Sequence, residues 1–157
     1  MAADVDRNVF SNRAWSIEQL VVPREWQLSE QQSYPGILVS AVHRAGEGKI
    51  TLGAECVEPR VTTENYGEKT RLALAGIHFT VSRLPAQGEA YVLDAVTHDK
   101  QTRLRQAVLV NDGIAYVLTI KAPSKVMPAF ARVFEDVLRQ MKLESSASGS
   151  TSGPTRR

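Results

Sequence analysis

Between Phe79 and Lys121 four strand-length segments follow one another: Phe79 to Leu84, Ala90 to Val96, Leu104 to Val110 and Ile114 to Lys121. Only short connections separate them. Pro85-Ala86-Gln87-Gly88 is one turn, and Asn111-Asp112-Gly113 is another that supplies residues tolerant of positive φ. Strands grouped this way make an antiparallel meander and argue against a repeating βαβ unit. The segments are nearly apolar on both faces, so helices must cover at least part of the second face of the sheet.

The rest of the chain supplies those covers. Ala14 to Leu20 alternates Trp15 and Ile17 with polar neighbours, as a half-buried strand does, and Pro23 ends it. Trp26 and Leu28 share one side of a short second segment, and Tyr34-Pro35-Gly36 is turn chemistry. Residues 37–56 read as a β-hairpin around Ala45-Gly46-Glu47-Gly48. A helix is expected over 63–76. Thr62 or Thr63 would cap its start and Gly76 its end, and Tyr66, Thr70, Ala73, Leu74 and Ile77 would form one face. Gly67 weakens that helix. A last helix follows a Ser124 cap, with Pro128 in its first turn. Its stripe is Met127, Phe130, Ala131, Phe134, Val137, Leu138 and Met141, opposite Arg132, Glu135, Asp136, Arg139 and Gln140. The expected class is α+β. Residues 1–8 are expected to be a flexible N-terminus and 9–143 one domain. Residues 144–157, rich in Ser, Gly and Thr, are expected to be a disordered tail.

Composition excludes several function classes. The 157 residues carry 19 Lys and Arg against 17 Asp and Glu, and Arg156 and Arg157 account for the excess. A phosphate footprint needs clustered excess charge, so no nucleic-acid partner is expected. One cysteine allows no internal disulfide and no Cys-rich zinc site. No apolar run is long enough to span a membrane, and no signal peptide opens the chain. A cytoplasmic location is expected for the sequence as it stands, and a periplasmic or lipid-anchored one if a leader has been trimmed.

Catalytic and metal constellations are equally thin. His43, His78 and His98 form no i, i+4 pair, and no His-Glu-x-x-His is present, so neither metal nor cofactor is expected. Gly46-Glu47-Gly48-Lys49 lacks the first Gly and the Ser or Thr of a phosphate loop and reads as a hairpin turn. Cys56 beside Glu55 has no activating neighbour and is expected to be a small core residue. Asp94, His98 and Asp99 mark a strand and its turn. Lys100, Arg103 and Arg105 are the one local basic group, either a charged solvent face or a patch for an acidic partner. Trp15 and Trp26 read either as a satellite core or as an aromatic groove for a partner.

Trp15-Ser16-Ile17 followed by Val22-Pro23-Arg24-Glu25-Trp26 is similar to the opening of the PsbP/DcrB-like superfamily, in which a strand, a Pro and a Trp follow one another. That superfamily includes the Ran-release factor Mog and the Eag chaperones of type VI secretion effectors. The order of the remaining elements resembles it over residues 9–143. A hairpin precedes a helix, and strands follow that carry Arg105-Gln106-Ala107 before a turn and Tyr116-Val117-Leu118-Thr119 after it. An amphipathic helix closes the domain near Leu143. The resemblance implies an α/β/α sandwich around a mainly antiparallel sheet with no shared catalytic centre. It implies accessory, assembly or chaperone roles for proteins that are often exported or lipid-anchored, although neither an export signal nor a lipobox is present in this sequence.

The expected function is therefore a non-enzymatic, protein-binding chaperone or adaptor of the Eag kind. It would shield the apolar helices of a secretion effector with Trp15, Ile17, Trp26, Leu38 and Arg105. A second reading is an accessory or assembly subunit of a bacterial envelope or motility complex, and a third is a small-molecule enzyme. An edge strand at 13–20 could also pair with its copy in a homodimer.

Overall fold

The computed structural model describes residues 7–30 and 36–144. The expectations for residues 1–6, for Tyr34-Pro35 and for the tail from Ser145 lie outside the described residues. The described residues form ten strands and two α-helices. They are β1 (Arg7–Asn12), β2 (Ile17–Pro23), β3 (Trp26–Glu30), β4 (Ile37–His43), β5 (Lys49–Cys56), α1 (Thr63–Ala75), β6 (Phe79–Gln87), β7 (Ala90–Thr97), β8 (Thr102–Asn111), β9 (Ile114–Pro123), α2 (Met127–Gln140) and β10 (Lys142–Leu143). Seven strands form one antiparallel sheet in the order β3-β4-β5-β9-β8-β7-β6, and β1-β2-β10 form a second, smaller one. The class is α+β, as the strand pattern requires.

Strand periodicity sends alternate side chains to opposite faces of the large sheet. Val92, Ala107, Leu118, Ile120, Leu52 and Val39 meet Met127, Phe130, Phe134 and Val137 of α2, together with Phe10, Ile17, Leu20 and Val22 of the small sheet, in the main core. Tyr91, Leu93 and Val108 point the other way and pack with Tyr66 and Leu74 of α1. Helices thus cover both faces, with α1 limited to the β6-β7-β8 side. The β8–β9 turn is tight because Asp112 (φ 54°) and Gly113 (φ 78°) both take the left-handed conformation that the Asn-Asp-Gly sequence favours.

Several local expectations are corrected. The first strand takes Arg7 and Asn8 into the fold, ahead of the expected boundary at residue 9. Trp15 does not belong to β2. Arg13–Trp15 is one turn of 3-10 helix capped by Asn12, and Ser16 (φ 58°) turns the chain before β2 begins. β2 is not an edge, because β1 and β10 flank it on both sides. Dimer pairing through that strand is therefore closed. Ser124 does not cap α2, since its hydroxyl donates to Lys100 O at 2.6 Å.

The helix α1 carries the largest departure. Ala73 and Ile77 are exposed, and only Gly67 is fully buried. The missing side chain is what lets the helix approach the sheet. A Cβ at residue 67 would lie 2.3 Å from Tyr91 Cγ. The Tyr91 hydroxyl donates to Glu68, the Arg71 guanidinium grips the same carboxylate at 2.8 Å, and Arg83 stacks on the Tyr91 ring at 3.9 Å while pairing with Glu64. Polar contacts around one buried ring therefore supplement an apolar face reduced to Tyr66 and Leu74. The Arg71 and Tyr91 hydrogen bonds hold the Glu68 carboxyl down to about 2. A depressed carboxylate stabilises the fold fully above the ordinary glutamate range and loses that contribution as pH falls through about 2. The melting-temperature gap between wild type and Glu68→Gln is thus expected to be widest near neutrality and to close as pH drops towards that value. A gap independent of pH would contradict this arrangement.

Candidate functional site

A cleft with a volume of about 990 Å³ lies at the end of the large sheet marked by the β8–β9 turn. Trp15, Val57, Pro59, Val61, Val110 and Ile114 give it apolar walls, and Cys56, Thr62, Thr63 and Asp112 complete them. Three segments distant in sequence build it, residues 14–15, 56–63 and 110–114, and the first two are fastened to the β8–β9 hairpin that carries the third. The Tyr116 hydroxyl donates to Trp15 O at 2.7 Å and holds the 3-10 turn. Val57 N–H donates to Gly113 O at 2.9 Å and holds the β5–α1 loop. Val110 N–H donates to the Thr63 hydroxyl at 2.9 Å and holds the start of α1. Thr62 caps that start reciprocally with Asn65, which fixes the loop against the helix. The cleft is therefore preformed, and its shape is set from the β8–β9 hairpin.

Of the five residues expected to bind a partner, one lies here. Trp15 is half-buried at the cleft wall. Ile17 and Trp26 are each 1% exposed, and Trp26 meets His43 and Phe130 edge-on with ring centres 5.1 Å away in both cases. These two are core residues that a partner does not reach, because α2 and the small sheet already occupy that face of the sheet. Leu38 is half-buried against the same core. Arg105 is 19% exposed and lies between Asp94 and Glu135 of its own chain, 3.6 Å from each carboxylate, while Arg103 pairs with Asp94 at 2.7 Å. Arg103 and Arg105 thus form an internal tie between β7, β8 and α2. Cys56 is exposed at the cleft, where a small core residue was expected.

Cys56 and Asp112 are the ionisable side chains of the cleft wall. All three histidines lie at or just beyond strand ends at the opposite end of the sheet, since His43 ends β4, His78 precedes β6 and His98 follows β7. A nucleophile needs a base within hydrogen-bond reach, and no histidine stands beside Cys56. Among the described residues no three His, Cys, Asp or Glu side chains gather to hold a metal ion. No helix of the described structure is long and apolar enough to cross a membrane.

No family model matches the chain, and no curated protein matches it by sequence. Solved structures do match it along almost its whole length. Cyanobacterial PsbP from Synechocystis superposes with a TM-score of 0.65 at 9% identity, over 90% of this chain and 94% of the other. The Ran-binding protein Mog1p of Saccharomyces cerevisiae gives 0.62 at 8% identity, over 92% and 98%. The chain has the PsbP/Mog1-like fold. LpqN of Mycobacterium tuberculosis, described as involved in cell envelope biogenesis, gives 0.59 at 13% identity, over 88% and 91%. The PsbP/Mog1-like arrangement agrees with the order of elements read from the sequence. At these identities it says nothing about which residues of this chain are functional.

Proposed function

We propose that this chain is a non-enzymatic accessory module that grips one partner protein by seating an apolar edge of it, a short hydrophobic segment or helix face, in the end cleft. The observation that carries this reading is the preformed apolar cleft walled by Trp15. Tryptophan is among the residues enriched at the anchor points of protein interfaces, where it packs in desolvated pockets. Two proteins that share the fold, one Ran-binding and one involved in cell envelope biogenesis, lend support. An Eag-like chaperone that spreads a sheet face over a client's helices fits less well, because α2 and the small sheet fill that face here. An Eag-like role survives in a narrower form, with one apolar helix of a secretion effector in the cleft. An accessory subunit of an envelope or motility complex would hold a fixed neighbour in the same place.

A photo-crosslinking amino acid at position 61 of the whole chain, on the cleft wall, is expected to trap one protein in the source cells. The same group at position 72, on the exposed side of α1, is expected to trap none in common with it. Identical products from both positions would refute the assignment. The trapped protein itself separates an effector client from a structural neighbour.

A further inference from the structure

His78 and His98 lie far apart in sequence, but the β6–β7 ladder brings them together. Phe79 pairs with Thr97 as the last rung at that end, so His78 and His98 take the next positions on the two strands. Their ring centres are 5.9 Å apart, and both residues are exposed. His78 has φ 75°, a left-handed backbone that is uncommon outside glycine but that histidine adopts more readily than most residues. The nearest acidic side chain in sequence, Asp99, is already engaged, since it accepts from the Thr97 hydroxyl at 2.7 Å and from Gln101 N–H at 2.9 Å.

We infer that His78 and His98 form a two-imidazole chelate for a borderline divalent cation of the zinc, nickel or copper group. The distance fits. With metal–nitrogen bonds of about 2.0–2.1 Å, one ion bound to a nitrogen of each ring leaves the ring centres roughly 5–6 Å apart. The ligand type fits as well, because neutral imidazole suits these ions whereas magnesium and calcium require oxygen donors. Exposed rings can turn their nitrogens to one ion at little cost, and water fills the remaining coordination positions. The ion would bridge the start of β6 and the end of β7, at the far end of the sheet from the cleft.

The test is a calorimetric titration of the whole chain with Zn²⁺, in a Cys56→Ser background so that the exposed thiol does not compete. Saturable binding of one ion per chain is expected. His98→Ala and His78→Asn, the latter keeping a residue that tolerates left-handed backbone, should each weaken it by about tenfold or more. His43→Ala should leave it unchanged. The imidazole NMR signals of His78 and His98, and not those of His43, should shift on addition of the ion. Absence of saturable binding, or binding that survives both histidine variants, would overturn the assignment.

Discussion

Replacing Gly67 by alanine is expected to destabilise the protein, although the residue sits in the interior of a helix where alanine is ordinarily the better choice. Helix propensity alone predicts a gain of about 1 kcal/mol. The position of Tyr91 opposes it. The added methyl would lie 2.3 to 2.6 Å from three atoms of the ring, well inside contact distance. The ring cannot move aside cheaply, because Tyr91 is 2% exposed, is covered by Arg83 and is tied through its hydroxyl to Glu68. Overpacking of this kind costs about 1–3 kcal/mol and occasionally more, and displacing the ring also strains the Glu68 contact. The net loss should be roughly 1–2 kcal/mol, which lowers the melting temperature by about 2–8 °C. Calorimetric melting of wild type and Gly67→Ala decides between the two effects. An unchanged or raised melting temperature would mean that α1 does not depend on a close approach to the sheet.

Trp26→Ala should have the larger effect. The indole is 1% exposed and fills the space between β3, the end of β4 and α2, where it contacts His43 and Phe130. Deleting a buried aromatic side chain removes its transfer free energy and leaves a cavity that the neighbours close only in part, at a cost of about 3–5 kcal/mol. The variant is expected to melt on the order of 10 °C below wild type. Trp15→Ala removes a half-buried side chain while leaving the backbone carbonyl that accepts from Tyr116, and should cost much less. The two tryptophans thus have opposite characters, one a core residue and the other a cleft residue. Equal destabilisation by both substitutions would contradict that division.

Much of the fold was legible in the sequence because short-range patterns decide it. Asn111-Asp112-Gly113 dictates a hairpin turn wherever it occurs between apolar runs, and the Met127 to Met141 stripe buries the side that its spacing predicts. Elements decided by tertiary contact were not legible. β10 is two residues long and exists only because Lys142 and Leu143 find the start of β2. The burial of Gly67 cannot be seen without Tyr91, a residue on another element. Ser124 has the chemistry of a helix cap, but Lys100 O lies nearer to its hydroxyl. The cleft was legible only through Trp15. Its walls come from residues 14–15, 56–63 and 110–114, and the bonds that fasten them end on the backbone atoms Trp15 O, Gly113 O and Val110 N. Backbone acceptors and donors leave no mark on residue identity. Ile17 and Trp26 resemble partner anchors by composition, and it is the docking of α2 and the small sheet that makes them core. Arg105 likewise finds its acidic partners within the chain, so its charge is spent internally.

The cleft stands or falls on one substitution. Val61 lines it from a loop and is half-buried, so Val61→Glu places a charge in the apolar hollow without removing a core side chain. Purified partner should be titrated against wild type and Val61→Glu, after melting curves show the two to be equally folded. The account predicts that affinity falls by about tenfold or more, the loss of roughly 1.4 kcal/mol expected when an anchor site is blocked. Equal affinity of the two proteins for the same partner would place the interface elsewhere on the molecule.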